Sequence, residues 1–131
     1  MKALIVEDDF TSRLLLQEIL KDFGEAHIAV NGKEAVEAAR GAIDSGDPYD
    51  LICMDIMMQE MNGYEALKEI RSIEESHGIR SSLGAKIFMV SALDGMKDVF
   101  QGFEGLCDAY LFKPVEKAKL LERLRQFALT A

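Results

Sequence analysis

The chain of 131 residues carries 15 Lys+Arg against 23 Asp+Glu, a net charge of −8, and is 49% hydrophobic and 29% charged. Such a chain fits one globular domain over 1–131; it lacks the roughly 18 uninterrupted apolar residues of a membrane span, and it has no basic cluster to neutralise nucleic-acid phosphates. No basic-then-apolar signal sequence opens it, so the expected location is the cytoplasm and the expected partners are proteins or a cation.

Strand and helix signals alternate five times. An apolar strand at 2–6 leads into a helix predicted over 11–23, where Leu14, Leu15, Ile19, Leu20 and Phe23 recur at helical spacing and Gly24 stands where a left-handed cap is wanted. A short strand at 26–30 follows. Asn31 then reads as an N-cap with Glu34 three residues on, a capping-box spacing that opens a helix through Ile43, stopped by Ser45-Gly46-Asp47-Pro48. The third strand, 51–54, is apolar throughout, as a strand covered on both faces must be, and is the central-strand candidate. A helix over 64–76 with Ala66, Leu67, Ile70 and Ile73 on one stripe precedes a polar, glycine-flanked segment at 76–84, read as an exposed loop. Strand 86–90, a glycine-containing helix around 96–106, strand 109–112 and a last helix over 116–129 complete a (βα)5 pattern. Cys53 and Cys107 have no metal-ligand or redox spacing and are expected to be reduced packing residues. His27 and His77 are isolated and expected at the surface or a strand edge.

Strands alternating with helices imply right-handed crossovers and a doubly wound α/β fold with a parallel five-stranded sheet, and five strands favour the order 2-1-3-4-5. In that order the C-terminal ends of all strands share one edge, with the ligand crevice between strands one and three. To that edge come Glu7-Asp8-Asp9, Asp55, Ser91 and Lys113-Pro114, with the turn 57–63 behind Asp55. Taken singly these residues have plainer readings: acids after a strand cap the next helix, a serine caps, a lysine is a solvated charge. Their joint occurrence at four strand ends overturns those readings.

Carboxylates about 4 Å apart repel by about 4 kcal/mol at an effective dielectric near 20, so a fold keeps such a cluster only if something offsets the repulsion. A hard divalent cation does so, and an all-oxygen donor set without His or Cys favours Mg²⁺ or Mn²⁺ over zinc. With a metal in place one carboxylate can attack a phosphoryl group and form an acyl phosphate. Asp55, alone at the tip of the central strand, is the best nucleophile. The Lys113 ammonium, the Ser91 hydroxyl and the Ala92 backbone N–H would neutralise and position the equatorial oxygens.

Ile5-Val6-Glu7-Asp8-Asp9, Met54-Asp55-Ile56-Met57-Met58, Met61-Asn62-Gly63, Val90-Ser91-Ala92 and Tyr110-Leu111-Phe112-Lys113-Pro114, in this order, resemble the receiver domain of two-component response regulators over essentially the whole chain. The order 2-1-3-4-5, flavodoxin-like, is also that family's own, so strand order and resemblance are one expectation. The resemblance implies that Asp55 accepts a phosphoryl group from the phosphohistidine of a sensor kinase or phosphotransfer protein and so biases binding of a downstream protein target. It implies Asp8 as direct Mg²⁺ ligand, Glu7 as water-mediated ligand and the Met57 backbone carbonyl as a further ligand beside Asp55. Ser91 is then the switching hydroxyl, Lys113 the phosphoryl-contacting ammonium, Tyr110 the switch aromatic, and the Lys113-Pro114 peptide cis. Asp9 lies beyond the acidic pair, with no role assigned.

The chain departs from that pattern in places. Gln59 stands where receivers usually carry proline, which predicts a mobile 57–62 loop. Met57 and Leu93 occupy the positions where the family places groups that steer attacking water, which predicts slow autodephosphorylation. Gly102 and Gly105 weaken the predicted fourth helix, so the face made by the fourth helix, fifth strand and fifth helix is expected to be the output surface. Two other functions use related chemistry. An aspartyl-nucleophile phosphatase would want Asp-x-Asp, and Met57 fills the second position; a flavin-binding electron carrier would want a hydroxyl- and glycine-rich phosphate loop where three acids stand. The expected protein is a signalling switch rather than an enzyme, either a single-domain chemotaxis-type regulator or a piece of a larger regulator or hybrid kinase.

Overall fold

Five apolar runs become five parallel strands: β1 (Lys2–Val6), β2 (Glu25–Ala29), β3 (Leu51–Asp55), β4 (Lys86–Ser91) and β5 (Ala109–Phe112). They form one sheet in the order β2-β1-β3-β4-β5, the order the alternation predicts. The computed structural model describes residues 1–58, 60–80, 82–92 and 106–130. Gln59, Leu93 and nearly all of the predicted helix at 96–106 lie outside the described residues.

Side chains alternate between the two faces of each strand. Leu4, Val6, Ile52, Met54, Ile87 and Met89 face one way, under the helices α2 (Gly32–Asp44) and α3 (Gly63–Ser76). Ala3, Ile5, Leu51, Cys53, Phe88 and Val90 face the other, under α1 (Phe10–Leu20) and the C-terminal helix (Lys117–Gln126). β3 is buried at every position because both faces are covered. Cys53 is a packing residue whose thiol burial pushes up to about 12. His27 sits on the edge strand β2 against the Tyr49 hydroxyl, and His77 closes α3 and pairs with Asp44.

Short polar side chains start the first three helices by accepting backbone N–H groups that lack intrahelical partners. Asp9 accepts from Ser12 (2.9 Å), Asn31 from Glu34 (2.8 Å) and Asn62 from Glu65 (3.0 Å). Only Asn62–Glu65 is a full reciprocal capping box; the Glu34 carboxylate reaches back to the Val30 N–H instead of that of Asn31.

Boundaries move where tertiary contacts outweigh local pattern. α1 starts at Phe10, and its predicted last turn is a separate 3₁₀ turn, Lys21–Phe23. Gly24 is not a left-handed cap: its φ of 145° and ψ of −155° are open to glycine alone, and a Cβ there would collide with the Met1 backbone, whose carbonyl accepts the Glu25 N–H at 3.0 Å. The last helix is shorter than 116–129, with Glu116 as its N-cap.

On the α3 side, one buried cation ties three segments together. Arg71 donates to the Glu74 carboxylate (2.7 Å), the Ala85 carbonyl (2.8 Å), the Leu106 carbonyl (2.7 Å) and the Asp108 carboxylate (3.0 Å). Glu74 and Asp108 in turn accept the N–H groups of Ala85 and Ile87, each at 2.8 Å. Gly84, with no side chain, leaves the space that the Glu74 carboxylate occupies. Arg71→Met would leave both carboxylates without their cation and is expected to lower stability by about 3–5 kcal/mol in a urea titration. Removing the exposed Arg80 in the same way is expected to change it by about 0.5 kcal/mol or less.

Candidate active site

Parallel register assembles the site. Pairing of Val6 with Met54 sets Glu7 beside Asp55, Asp55 pairs with Val90, and Ser91 pairs with Phe112, one residue before Lys113. The Lys113 N–H donates to the Ser91 carbonyl at 2.7 Å, and the Lys113–Pro114 peptide is cis. The Lys113 ammonium turns into the crevice and donates to Glu7 Oε1 (2.7 Å) and Asp55 Oδ2 (3.3 Å). Glu7, Asp8 and Asp55 each bring an oxygen within 4.8 Å of the others.

The electrostatics of this crevice are unbalanced. The Glu7 and Asp55 side chains are 1% and 5% exposed, and one ammonium serves both. Burial is the main force on Glu7; although the Lys113 hydrogen bond opposes it, the Asp55 charge adds to it, and the carboxyl rises from its ordinary 4.5 to about 7. Burial alone would lower the Lys113 pKa, yet the Glu7 hydrogen bond and the Asp55 and Glu7 charges outweigh it, so the pKa is raised. Glu7 Oε2 is buried with no hydrogen-bond partner among the described residues. An orphaned carboxylate oxygen, three acids with one ammonium bonded to them among the described residues, and oxygen-only donors fit a hard divalent cation such as Mg²⁺.

The remaining predicted site residues fall around this centre. Asp8 is exposed at the rim. Asp9 is the α1 cap, its carboxyl held below the ordinary range by the Ser12 backbone N–H and hydroxyl. Met57 follows Asp55 closely enough for its N–H to lie 3.4 Å from Asp55 Oδ1, and the residue is 58% exposed. Ser91 is buried at the end of β4, and Ala92 is exposed just beyond it. Tyr110 is half-buried on β5, packed against the core beneath α2 and α3.

Arg13 escaped the sequence reading, and Gly63, named there only as part of a motif, has a packing role that reading did not assign. Arg13 donates to the Glu7 backbone carbonyl at 3.3 Å while its guanidinium lies over the Phe10 ring, anchoring the end of β1. Nothing in its spacing marks that role. Gly63 packs on the phosphoacceptor candidate itself, since a Cβ there would stand 2.5 Å from the Asp55 carbonyl oxygen, and its N–H donates to Ile56 at 2.9 Å.

The family model described as response regulator receiver domain matches residues 3–125. Among curated relatives, a hybrid signal transduction histidine kinase of Dictyostelium discoideum is 36% identical over 126 residues, covering 92% of this chain and 6% of that protein. A chemotaxis protein of Thermotoga maritima is 32% identical over 127 residues, covering 95% of each. The chain spans only 6–12% of the histidine kinases it matches and half of a transcriptional regulator. Among solved structures, the receiver domain of an Arabidopsis thaliana histidine kinase, complexed with Mg²⁺ and BeF₃⁻, superposes with TM-score 0.79 at 31% identity, over 98% of this chain and 90% of that one. The receiver domain of a Saccharomyces cerevisiae response regulator, in complex with a histidine phosphotransfer protein, superposes with TM-score 0.81 at 29% identity over 97% and 88%. No helix among the described residues is long and apolar enough to cross a membrane.

Lys113→Met strips the Glu7 and Asp55 carboxylates of the one cation that reaches them among the described residues. The metal-free variant is expected to lose about 3 kcal/mol in a urea titration, and Mg²⁺ is expected to restore part of that loss. A variant as stable as the wild type would show that Lys113 does not balance these acids.

Proposed function

This chain belongs to the response regulator receiver domain family, and we propose that within that family it is a receiver, spanning 1–131, whose phosphoacceptor is Asp55. The observation that carries the reading is the position of Asp55: nearly buried at the tip of β3, 3.3 Å from the Lys113 ammonium, and clustered with Glu7 and Asp8. An Asp55 carboxylate oxygen attacks the phosphorus of a phosphohistidine; the new P–O bond forms as the P–N bond breaks, and the electron pair stays on the imidazole, which takes up a proton. Lys113, the Ser91 hydroxyl and the Ala92 N–H receive the phosphoryl oxygens. Asp8, Asp55 and the Met57 carbonyl would hold Mg²⁺ directly and Glu7 through water; when bound, the ion neutralises charge on the acids and on the phosphoryl group.

The donor is a histidine kinase or a phosphotransfer protein, a reading supported by the yeast receiver solved with such a partner. Phosphorylation draws Ser91 toward the phosphoryl group, Tyr110 turns with it, and the face built on β5, the C-terminal helix and the predicted fourth helix changes its affinity for a target protein. Support for this lies in the neighbouring strands β4 and β5, where Tyr110 pairs with Met89, two residues before Ser91 and on the same face of the sheet. The protein is thus a cytoplasmic signalling switch whose only catalysis is its own phosphorylation and its slow reversal.

Acetyl phosphate with Mg²⁺ is expected to phosphorylate the wild type, whereas Asp55→Asn and metal-free protein stay unmodified by intact-mass measurement; a modified Asp55→Asn protein would remove Asp55 from this role. After donor removal the phosphorylated fraction is expected to persist for minutes or longer, because Met57 offers no group to hold an attacking water; loss within seconds would contradict that.

A further inference from the structure

Two parts of the metal site come from different places in the chain. Glu7 and Asp8 directly follow β1, whereas the Met57 carbonyl belongs to the loop between β3 and α3. Something has to set the distance between them. The β2–α2 junction touches both: the Glu7 N–H donates to the Ala29 carbonyl at 3.0 Å, and three residues later the Gly32 N–H donates to the Met61 carbonyl at 3.2 Å. Because the strand order is β2-β1-β3, residues 29–32 reach across the end of β1 from its far side to the β3–α3 loop.

At the second contact the two backbones are as close as they can come. A Cβ on Gly32 would overlap the Met61 carbonyl oxygen and stand 2.9 Å from its carbonyl carbon and 3.0 Å from its Cβ. The two nearest are loop backbone atoms, and the third is the Cβ fixed to that backbone, so none is the far end of a yielding side chain. The conformation of Gly32 itself makes no demand for glycine, as it is not among the positive-φ glycines of the described residues, Gly24, Gly46 and Gly78. Glycine is required here by the neighbour and not by the helix. Gly41 provides the internal contrast: it lies in the same helix with nothing within 4 Å of its would-be Cβ.

We propose that Gly32 is a positioning residue for the metal site: its N–H and its missing side chain seat Met61, and thereby the Met57 carbonyl, at the correct distance from Glu7 and Asp8. This rests on the reading above in which Met57 and the acids hold Mg²⁺. Partners that orient metal ligands from outside the ligand shell typically contribute on the order of 10–100-fold to metal affinity.

The test is Mg²⁺ binding by titration calorimetry without any phosphoryl donor, on wild type, Gly32→Ala, Gly41→Ala and Asp8→Asn. Wild type and Gly41→Ala are expected to bind alike, with Gly41→Ala more stable because alanine is the better helix former. Gly32→Ala is expected to bind about tenfold more weakly while keeping its helix content by circular dichroism. Equal affinity of Gly32→Ala and wild type overturns the inference while leaving the metal site intact. Wild-type binding that survives Asp8→Asn instead overturns the site reading beneath it. Should Gly32→Ala fail to fold, the wild-type Gly32 amide decides: Mg²⁺ saturation is expected to shift its NMR resonance and slow its hydrogen exchange, with Gly41 unmoved, and an unmoved Gly32 overturns the inference.

Discussion

Two nearly buried carboxylates share one ammonium at the end of this sheet, and most of the architecture around the crevice answers that imbalance. Glu7 and Asp55 come from adjacent strands, so no side-chain rotation separates them; parallel register forces them together. Lys113 offsets part of the repulsion from the far side of β4, which requires β5 to lie two strands from β3 and the chain to turn sharply after it. Even so, Glu7 is pushed toward neutrality and keeps an oxygen with no partner among the described residues. A divalent cation would resolve both, which is why the proposed metal site and the proposed phosphoryl transfer share one crevice.

A site this strained needs a stiff frame, and here the frame is mostly backbone. β3 and β4 are buried along almost their whole length, and the Ile56 N–H continues the ladder past Asp55 to the Val90 carbonyl at 3.0 Å. Gly63 and Gly32 then let the β3–α3 loop press against Asp55 and the start of α2. Farther down, Arg71 pins α3 to the start of β4 and to the lead into β5, so the lever carrying Lys113 and Tyr110 is anchored at its base. Rigidity below and a charged crevice above are what the proposed phosphorylation-driven switch would need: a local change in charge would meet packed elements that move as units rather than deform.

Most of the fold was legible because its signals are local. Apolar runs such as 51–54 and 86–90, separated by helical stripes, can be read one segment at a time, and alternation alone then selects a parallel sheet. The converging residues were legible for the same reason: each ends an apolar run, so topology carries it to the shared edge. Asp9 read ambiguously because an acid after a strand can ligate or cap; its bond to Ser12 makes it a cap. Gly24 looked like a helix terminator and is instead a glycine forced by the Met1 backbone packed against it.

What the sequence by itself determined is the strand–helix order and the identity of the reactive groups, because these depend on periodicity and on residues a few positions apart. The tertiary structure alone decided the distances: which carboxylate loses its water, that Lys113 bridges Glu7 and Asp55, that Arg13 holds the Glu7 carbonyl, and that Gly32 lies against Met61. Those facts join residues up to 106 positions apart in the chain. Burial and through-space charge have no signature in neighbouring residues, so they come into being only when the sheet closes.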